Sequence, residues 1–122
     1  MKQVQMITPI VPFADLEAAT TFLKSCLGFE TRVLLDNYAY CERDGAGIRL
    51  VKAPDDADMD DPARQVSVYI CAEDVDAYYE EHSAAIGELP ESCRRAPFDQ
   101  DYGQREFHLI HGPCLFFIGQ PA

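Results

Sequence analysis

The chain has 122 residues, 48% of them hydrophobic, which is the size and composition of one globular domain that can bury a core without disulfides. Its 21 acidic residues outnumber its 10 lysines and arginines, and the net charge of −11 excludes nucleic acid as an expected partner, because phosphate binding depends on Lys and Arg. No apolar run approaches the ~20 residues that cross a bilayer, and the first residues contain no signal-peptide core, so we expect a cytoplasmic protein that binds no membrane.

The first half of the chain reads as a strand, a helix and three strands. A β-rich run over 3–12 precedes a predicted helix over 16–27, whose apolar residues recur at helical spacing. Asp15 can accept hydrogen bonds from the free amides at the helix start, and Gly28 can end the helix in a left-handed conformation. Three predicted strands follow, over 29–35, 38–42 and 48–52.

An acidic segment then interrupts the pattern. Residues 55–61 read DDADMDD, a composition typical of a solvated loop. The acidity of the chain suits a cationic ligand through long-range steering, or else it serves solubility alone.

The second half repeats the order of the first. A strand-like run over 65–72 is followed by a short helix over 74–82, which Asp74 can cap. A loop containing Pro90 leads to a weak strand over 93–97, and stronger strands are predicted over 104–110 and 114–120.

The chain is therefore predicted to be one α+β domain made of two βαβββ modules. Module one covers about 1–53, the acidic linker about 54–64 and module two about 65–122. The helix of each module would cover one face of its sheet and leave the other face to curl inward.

Several segments resemble a known family. The run TPIVPFADLEAA over 8–19, followed by Leu27-Gly28-Phe29, is similar to the opening signature of glyoxalase/bleomycin-resistance proteins, the vicinal oxygen chelate superfamily. The runs YGQREF over 102–107 and FFIGQ over 116–120 resemble the closing signature of its bleomycin-resistance-like branch. The turn over 111–114, HGPC, departs from the usual family turn and is one residue shorter.

The resemblance spans residues 4–120 and implies a fold and an assembly. The two modules would form curved mixed sheets, eight strands in all, around a cleft that holds a small molecule. Members of the family commonly form homodimers with modules paired across the two chains, so we expect a homodimer whose cleft is either within one chain or shared.

The family's metal ligands have no suitable counterparts in this chain. The matching positions hold Thr8, Arg49, Ser67 and Phe117. An arginine, a phenylalanine and two hydroxyl residues cannot enclose a hard cation, so we expect no metal and no cofactor. His108 and His111 are predicted to point to opposite faces of one strand, since side chains alternate along it, and His82 is expected to be exposed on the second helix.

Strand alternation predicts which residues face the cleft. The candidates for ligand binding lie on the third, fourth, fifth, seventh and eighth strands and in the loop before the seventh: Tyr38, Tyr40, Arg49, Ser67, Tyr69, Tyr102, Glu106, His108 and Phe117.

These candidates supply aromatic and charged groups, as ligand sites often do. Tyr40, Tyr69 and Phe117 could stack on flat rings or hold a cation. Arg49 could meet an anionic group and Glu106 a cationic one. The alternatives are that Arg49 and Glu106 pair with each other or with the backbone, and that the aromatic residues fill space between sheets or across a dimer interface.

The sequence therefore predicts a metal-independent small-molecule binding protein, resembling those that give antibiotic resistance by sequestering bleomycin-type compounds. No catalytic residue is assigned. The alternative is a metal-dependent lyase, isomerase or dioxygenase-like enzyme of the same superfamily with atypical ligands. A structural or regulatory partner protein is a third possibility, which a blocked cleft and a large exposed apolar patch would favour.

Overall fold

The computed structural model describes residues 1–122 and contains eight strands and three helices. In chain order these are β1 (Ile10–Phe13), α1 (Leu16–Leu27), β2 (Glu30–Leu34), β3 (Tyr38–Arg43), β4 (Ala46–Lys52), β5 (Val66–Cys71), α2 (Val75–Glu81), α3 (Ser83–Gly87), β6 (Arg94–Asp99), β7 (Gln104–His111) and β8 (Cys114–Pro121). No helix is long and apolar enough to cross a membrane.

Each module forms its own four-stranded mixed sheet. The strand orders are β1-β4-β3-β2 and β5-β8-β7-β6. The first and last strands of each module pair in parallel, and the other neighbours are antiparallel. Ile10 lies opposite Arg49 in the first sheet, just as Tyr69 lies opposite Phe117 in the second. The prediction of an α+β fold with two βαβββ modules is confirmed.

The helix boundaries follow from local chemistry. The carboxylate of Asp15 accepts a hydrogen bond from the amide of Ala18 at 3.0 Å, and Asp74 accepts one from the amide of Ala77 at the same distance. Each aspartate thereby satisfies an amide that has no partner within the helix. Gly28 ends α1 with a φ of 73°, a left-handed conformation that costs a glycine nothing.

One hydrophobic core joins the two modules. It contains 20 buried residues from α1, α2, α3 and the inner positions of both sheets. Phe22 of α1 bridges the modules, since its ring lies 5.5 Å from that of Phe116 in β8. In β4, Ile48 and Leu50 are buried in the core while Arg49 between them is not. The modules thus pack through their helix-bearing faces, and the opposite face of each sheet is turned away from the core.

The structure corrects three sequence expectations. The opening strand begins at Ile10, not at residue 3, because no strand of this chain lies beside the segment before it, and residues 1–7 are exposed. The second helix ends at Glu81, and α3 follows directly within the predicted loop. His82 is not exposed: its side chain is 14% accessible and lies between the modules.

Candidate ligand-binding faces

A buried carboxylate organises the open face of the second sheet. Glu106 of β7 is 0% exposed, and both of its oxygens accept two hydrogen bonds. Oε2 accepts from the hydroxyls of Tyr69, at 2.8 Å, and Tyr102. Oε1 accepts from Gln100 Nε2 at 3.1 Å and lies 2.8 Å from His108 Nε2. Four donors from β5, β7 and the loop before β7 therefore converge on one carboxylate and fill its acceptor positions.

These hydrogen bonds keep Glu106 ionised. Burial by itself raises the pKa of a carboxyl group, but the hydrogen bonds from His108, Tyr102, Tyr69 and Gln100 outweigh burial and lower the pKa to about 2. Glu106 is consequently a fixed negative charge that holds its donors in place.

The contacts with Glu106 also determine which atoms of its donors carry a proton. Burial and the contact with Glu106 raise the pKa of Tyr69, and the hydrogen bond to Glu106 raises the pKa of Tyr102, so both phenols stay protonated at neutral pH. A carboxylate can only accept, so His108 carries a proton on Nε2. Its Nδ1 has no protein partner and is left for solvent or a ligand.

Aromatic rings form a continuous wall beside this network. Tyr69 stacks on Phe117 with centroids 5.8 Å apart and planes 16° apart. His108 packs edge-on against Phe117 at 4.4 Å and against Phe98 at 5.0 Å. Tyr69 remains 44% exposed, so a flat apolar group can reach this wall from solvent.

An arginine, Arg49, lies on the open face of the first sheet. Arg49 donates from Nε to Thr8 Oγ1 at 3.0 Å and from Nη1 to the hydroxyl of Tyr38, and its guanidinium lies 5.0 Å from the ring centre of Tyr40. None of these partners is a carboxylate, so nothing in the chain neutralises the half-buried charge of Arg49.

Two glycines make room for the tyrosine rings. A Cβ at Gly47 of β4 would collide with Tyr40, and a Cβ at Gly119 of β8 would collide with Tyr69 and press on Glu106. A glycine inside a strand often marks such a close approach. Each module thus presents a tyrosine lying over a glycine of its last strand.

Eight of the nine predicted site residues fall into two groups, one at each sheet. Tyr38, Tyr40 and Arg49 lie together on the first. Tyr69, Tyr102, Glu106, His108 and Phe117 lie together on the second. Ser67 stands apart from both, beside a cavity of about 230 Å³ that Leu115 and Ile110 also line. No hydrogen bond or ring contact links the two groups, so Arg49 and Glu106 do not pair with each other or with the backbone.

Sequence reasoning missed several contributors. Gln100 lies in the loop after β6, and Phe98 in that strand faces His108, but β6 is irregular between Arg95 and Phe98 and gives no clear alternation. Gly47 and Gly119 could have been found from their positions inside strand-like runs.

The positions at which the family holds a metal do not suit one here. The hydroxyl of Thr8 is occupied by the Arg49 guanidinium, and Phe117 has no donor atom. No group of three or more His, Cys, Asp or Glu side chains could hold an ion. His111 points to the core face, where it stacks on Phe22 at 4.8 Å and where burial lowers its pKa.

Of four cavities in the chain, three touch neither group and one touches Tyr69 alone. The most apolar has a volume of about 370 Å³ and lies between the modules. It reaches Tyr69 at one end, and the segment with Met6 and Ile7 lines its side. Neither sheet face is enclosed by the chain itself.

Two βαβββ modules that are packed through their helices, with an open face on each sheet, define the chain as a paired-module α+β protein. The profile of the Glyoxalase/Bleomycin resistance protein/Dioxygenase superfamily matches residues 4–116. The chain belongs to this superfamily, as the resemblance predicts. No curated protein sequence matches the chain significantly.

Solved structures share the fold across their whole length. A bleomycin-binding protein complexed with bleomycin is 19% identical, with a TM-score of 0.79 over 98% of this chain and 100% of that one. The bleomycin-binding protein of Streptomyces verticillus, complexed with copper(II)-bleomycin, is 20% identical, with a TM-score of 0.78 over 97% of each chain. A bleomycin resistance determinant encoded on transposon Tn5 is 18% identical, with a TM-score of 0.76 over 97% and 98% of the two chains. Identities this low show a common fold only.

Proposed function

We propose that the protein binds a small molecule with a planar aromatic group on its open sheet faces, without a metal ion and without transforming it. The observation that carries this proposal is the wall of Tyr69, His108 and Phe117, which the buried Glu106 holds rigid. Preorganised, partly exposed rings bind flat ligands with little loss of side-chain entropy. The bleomycin complexes of similar structures support a sequestering role, which makes antibiotic resistance the corresponding cellular function.

Metal independence is part of the proposal. The superfamily also includes enzymes, as its description states. In this chain Thr8 and Arg49 are engaged with each other, and Glu106 has no acceptor position left for a cation. The residues thus favour binding over metal-assisted chemistry.

We further propose a cytoplasmic homodimer in which the cleft is shared. Each open face lies on the side of its sheet turned away from the core. In one chain alone, a ligand on the aromatic wall would therefore contact protein on one side only. If module one of one chain faces module two of a second chain, Tyr40 and Arg49 would stand across from Tyr69 and Phe117. Such a cleft would shield the ligand from solvent on both sides.

The binding proposal is tested with two probes, bleomycin and the neutral aromatic naphthamide, in NMR titrations of the purified protein. Tyr69→Ala and Phe117→Ala should each lower the affinity for any probe that the wild-type protein binds. The expected loss is tenfold or more, about 1.4 kcal/mol, because stacking area is lost. Tyr79→Ala is the matched control, since Tyr79 packs against Phe107 on the helix side of the same sheet.

Protein dialysed against EDTA should bind equally well. Unchanged affinity in both wall variants, or binding that depends on an added divalent metal, would contradict the proposed function.

A further inference from the structure

The charge available on the two open faces differs from the charge of the whole chain. The net charge of −11 suggests a cationic ligand. However, the buried carboxylate of Glu106 already accepts all four of its hydrogen bonds from protein groups. Of the other carboxylates on these faces, Glu42 is held by Arg32 at 3.5 Å and by the hydroxyl of Tyr40 at 3.3 Å. Glu30 lies opposite Glu42 on the edge strand β2, away from Arg49.

The free charge near the aromatic groups is positive. A guanidinium group has five N–H donors, and Arg49 uses only two of them, toward Thr8 and Tyr38. Nη2 of Arg49 has no partner in the chain, and because no buried side-chain nitrogen or oxygen lacks a partner, Nη2 is accessible. Removing an arginine partly from water without a counter-ion is unfavourable, and a bound anion would restore the balance.

The second face repeats this arrangement. Arg95 lies opposite His108 in the β6–β7 pair, on the same face as Glu106 and Phe98. Its guanidinium lies 3.4 Å from the ring centre of Phe98 and makes no ion pair. Each face therefore presents one arginine that stacks on a ring and lacks a carboxylate partner.

We infer that the ligand is an aromatic anion, whose carboxylate or other oxyanion group is bound by Arg49 of one chain while its ring stacks on the aromatic wall of a second chain across the proposed shared cleft. This inference rests on the proposed function and names the class of ligand. Arg49 is fixed by a hydroxyl on each side and by the Tyr40 ring below, so its donors are oriented before a ligand arrives. Guanidinium groups match the geometry of carboxylates and phosphates, and the charge-assisted bond is stronger than a neutral one.

Three naphthalene probes that share the ring and carry a different charge on one substituent test the inference: anionic naphthoate, neutral naphthamide and cationic naphthylmethylammonium. In NMR titrations, naphthoate should bind at least about tenfold more tightly than naphthylmethylammonium, with naphthamide between them. Arg49→Met should weaken naphthoate binding about five- to tenfold and change naphthamide binding less than about twofold. Lys24→Met on α1 is the control for overall charge and should leave all three affinities unchanged.

The outcomes separate this inference from the proposed function. If naphthamide binds as tightly as naphthoate and still depends on Tyr69 and Phe117, the aromatic anion is excluded while the binding function stands. An equal loss for all three probes in Arg49→Met would assign Arg49 a purely structural role and overturn the inference. If neither these probes nor bleomycin shifts resonances of either face, both proposals fail.

Discussion

Glu106 shows how one buried residue can shape a surface through the side chains that it holds. Its carboxylate has no exposed area, and its four donors come from three separate segments of the chain. A buried charge of this kind is tolerated only when it is fully hydrogen-bonded. In the proposed binding role Glu106 therefore positions Tyr69, Tyr102 and His108, whereas the sequence left open contact with a cationic group or pairing with Arg49 or the backbone.

Replacing Glu106 by Gln should lower the free energy of unfolding at pH 7 and make that free energy depend less on pH. The pKa of Glu106 is lowered to about 2, whereas an unfolded glutamate titrates near pH ~4.3. A depressed pKa contributes stability that is present above the unfolded value and is lost as the pH falls toward 2. We expect Glu106→Gln to lose on the order of 2–3 kcal/mol at pH 7 and to show a shallower decline of unfolding free energy between pH 5 and about 2.

Urea denaturation followed by circular dichroism measures both quantities. Glu88→Gln serves as the control, because Glu88 is an exposed carboxylate directly after α3, beside α1. Identical pH profiles for wild type and Glu106→Gln would show that the network does not hold Glu106 ionised.

At the level of secondary-structure elements, Arg43 of β3 joins module one to α2. Its Nη1 donates to the carbonyl of Leu27 at 3.0 Å, and Nη2 lies 3.2 Å from Glu81 Oε2. The guanidinium carbon lies 4.6 Å from the ring centre of Tyr78, whose hydroxyl also donates to the Leu27 carbonyl. The end of α1 is thus satisfied by side chains from two other elements.

His82 completes this junction as a single tautomer. Its Nδ1 lies 3.1 Å from the carbonyl of Ser25, which can only accept, so Nδ1 carries the proton. Nε2 is then free to accept from Arg43 Nη1 at 3.1 Å. The Nδ1–H tautomer is the one that fits both contacts.

Arg43→Met should therefore destabilise the protein. The variant keeps the apolar stem but removes the donor that Glu81 and His82 share and one of the two donors to the Leu27 carbonyl, at a cost of about 1–3 kcal/mol. Arg32→Met is the matched control, because Arg32 is 59% exposed and its ion pair with Glu42 is worth little. Thermal and urea unfolding of both variants make the comparison, and equal losses would argue against an inter-module role for Arg43.

At the scale of the whole molecule, the direction in which the modules pack decides where a ligand can bind. The shared core occupies the helix-bearing faces, so the aromatic and charged groups of the two sheets do not face each other within one chain. Exposed apolar side chains are also numerous, among them Val4, Ile7, Ile10 and Leu35. A second copy of the chain would cover such surface and bring complementary faces together.

A shared cleft predicts a dimer, for which light scattering should give a mass twice that of the chain. It also predicts that two variants with damaged binding faces can complement each other. Tyr40→Ala damages the face of module one and Phe117→Ala that of module two, so each homodimer contains two damaged clefts. After unfolding and refolding as a mixture, a mixed dimer would contain one cleft with both faces intact, and binding of the aromatic probe should be partly restored. If the mixture binds no better than the separate variants, the cleft does not combine modules from two chains.

Much of the fold could be predicted because its determinants are local. Asp15, Gly28 and Asp74 mark helix boundaries through backbone hydrogen bonds within a few residues, and alternation along β5, β7 and β8 follows from strand geometry alone. The same alternation placed Tyr69, Glu106, His108 and Phe117 on one face. The opening strand was overextended because β-propensity does not reveal whether a partner strand lies alongside.

The sequence by itself determined the two βαβββ modules, the alternation of side chains along their strands and the unsuitable side chains at the family's metal positions, since periodicity, capping and residue type are local properties. Only the tertiary structure decided that four protein donors occupy the acceptor positions of Glu106, that Arg49 is held without a carboxylate partner, and that the two faces point away from a common core. These outcomes depend on which distant side chains meet, because desolvation and hydrogen-bond geometry are set by the packing of both modules together.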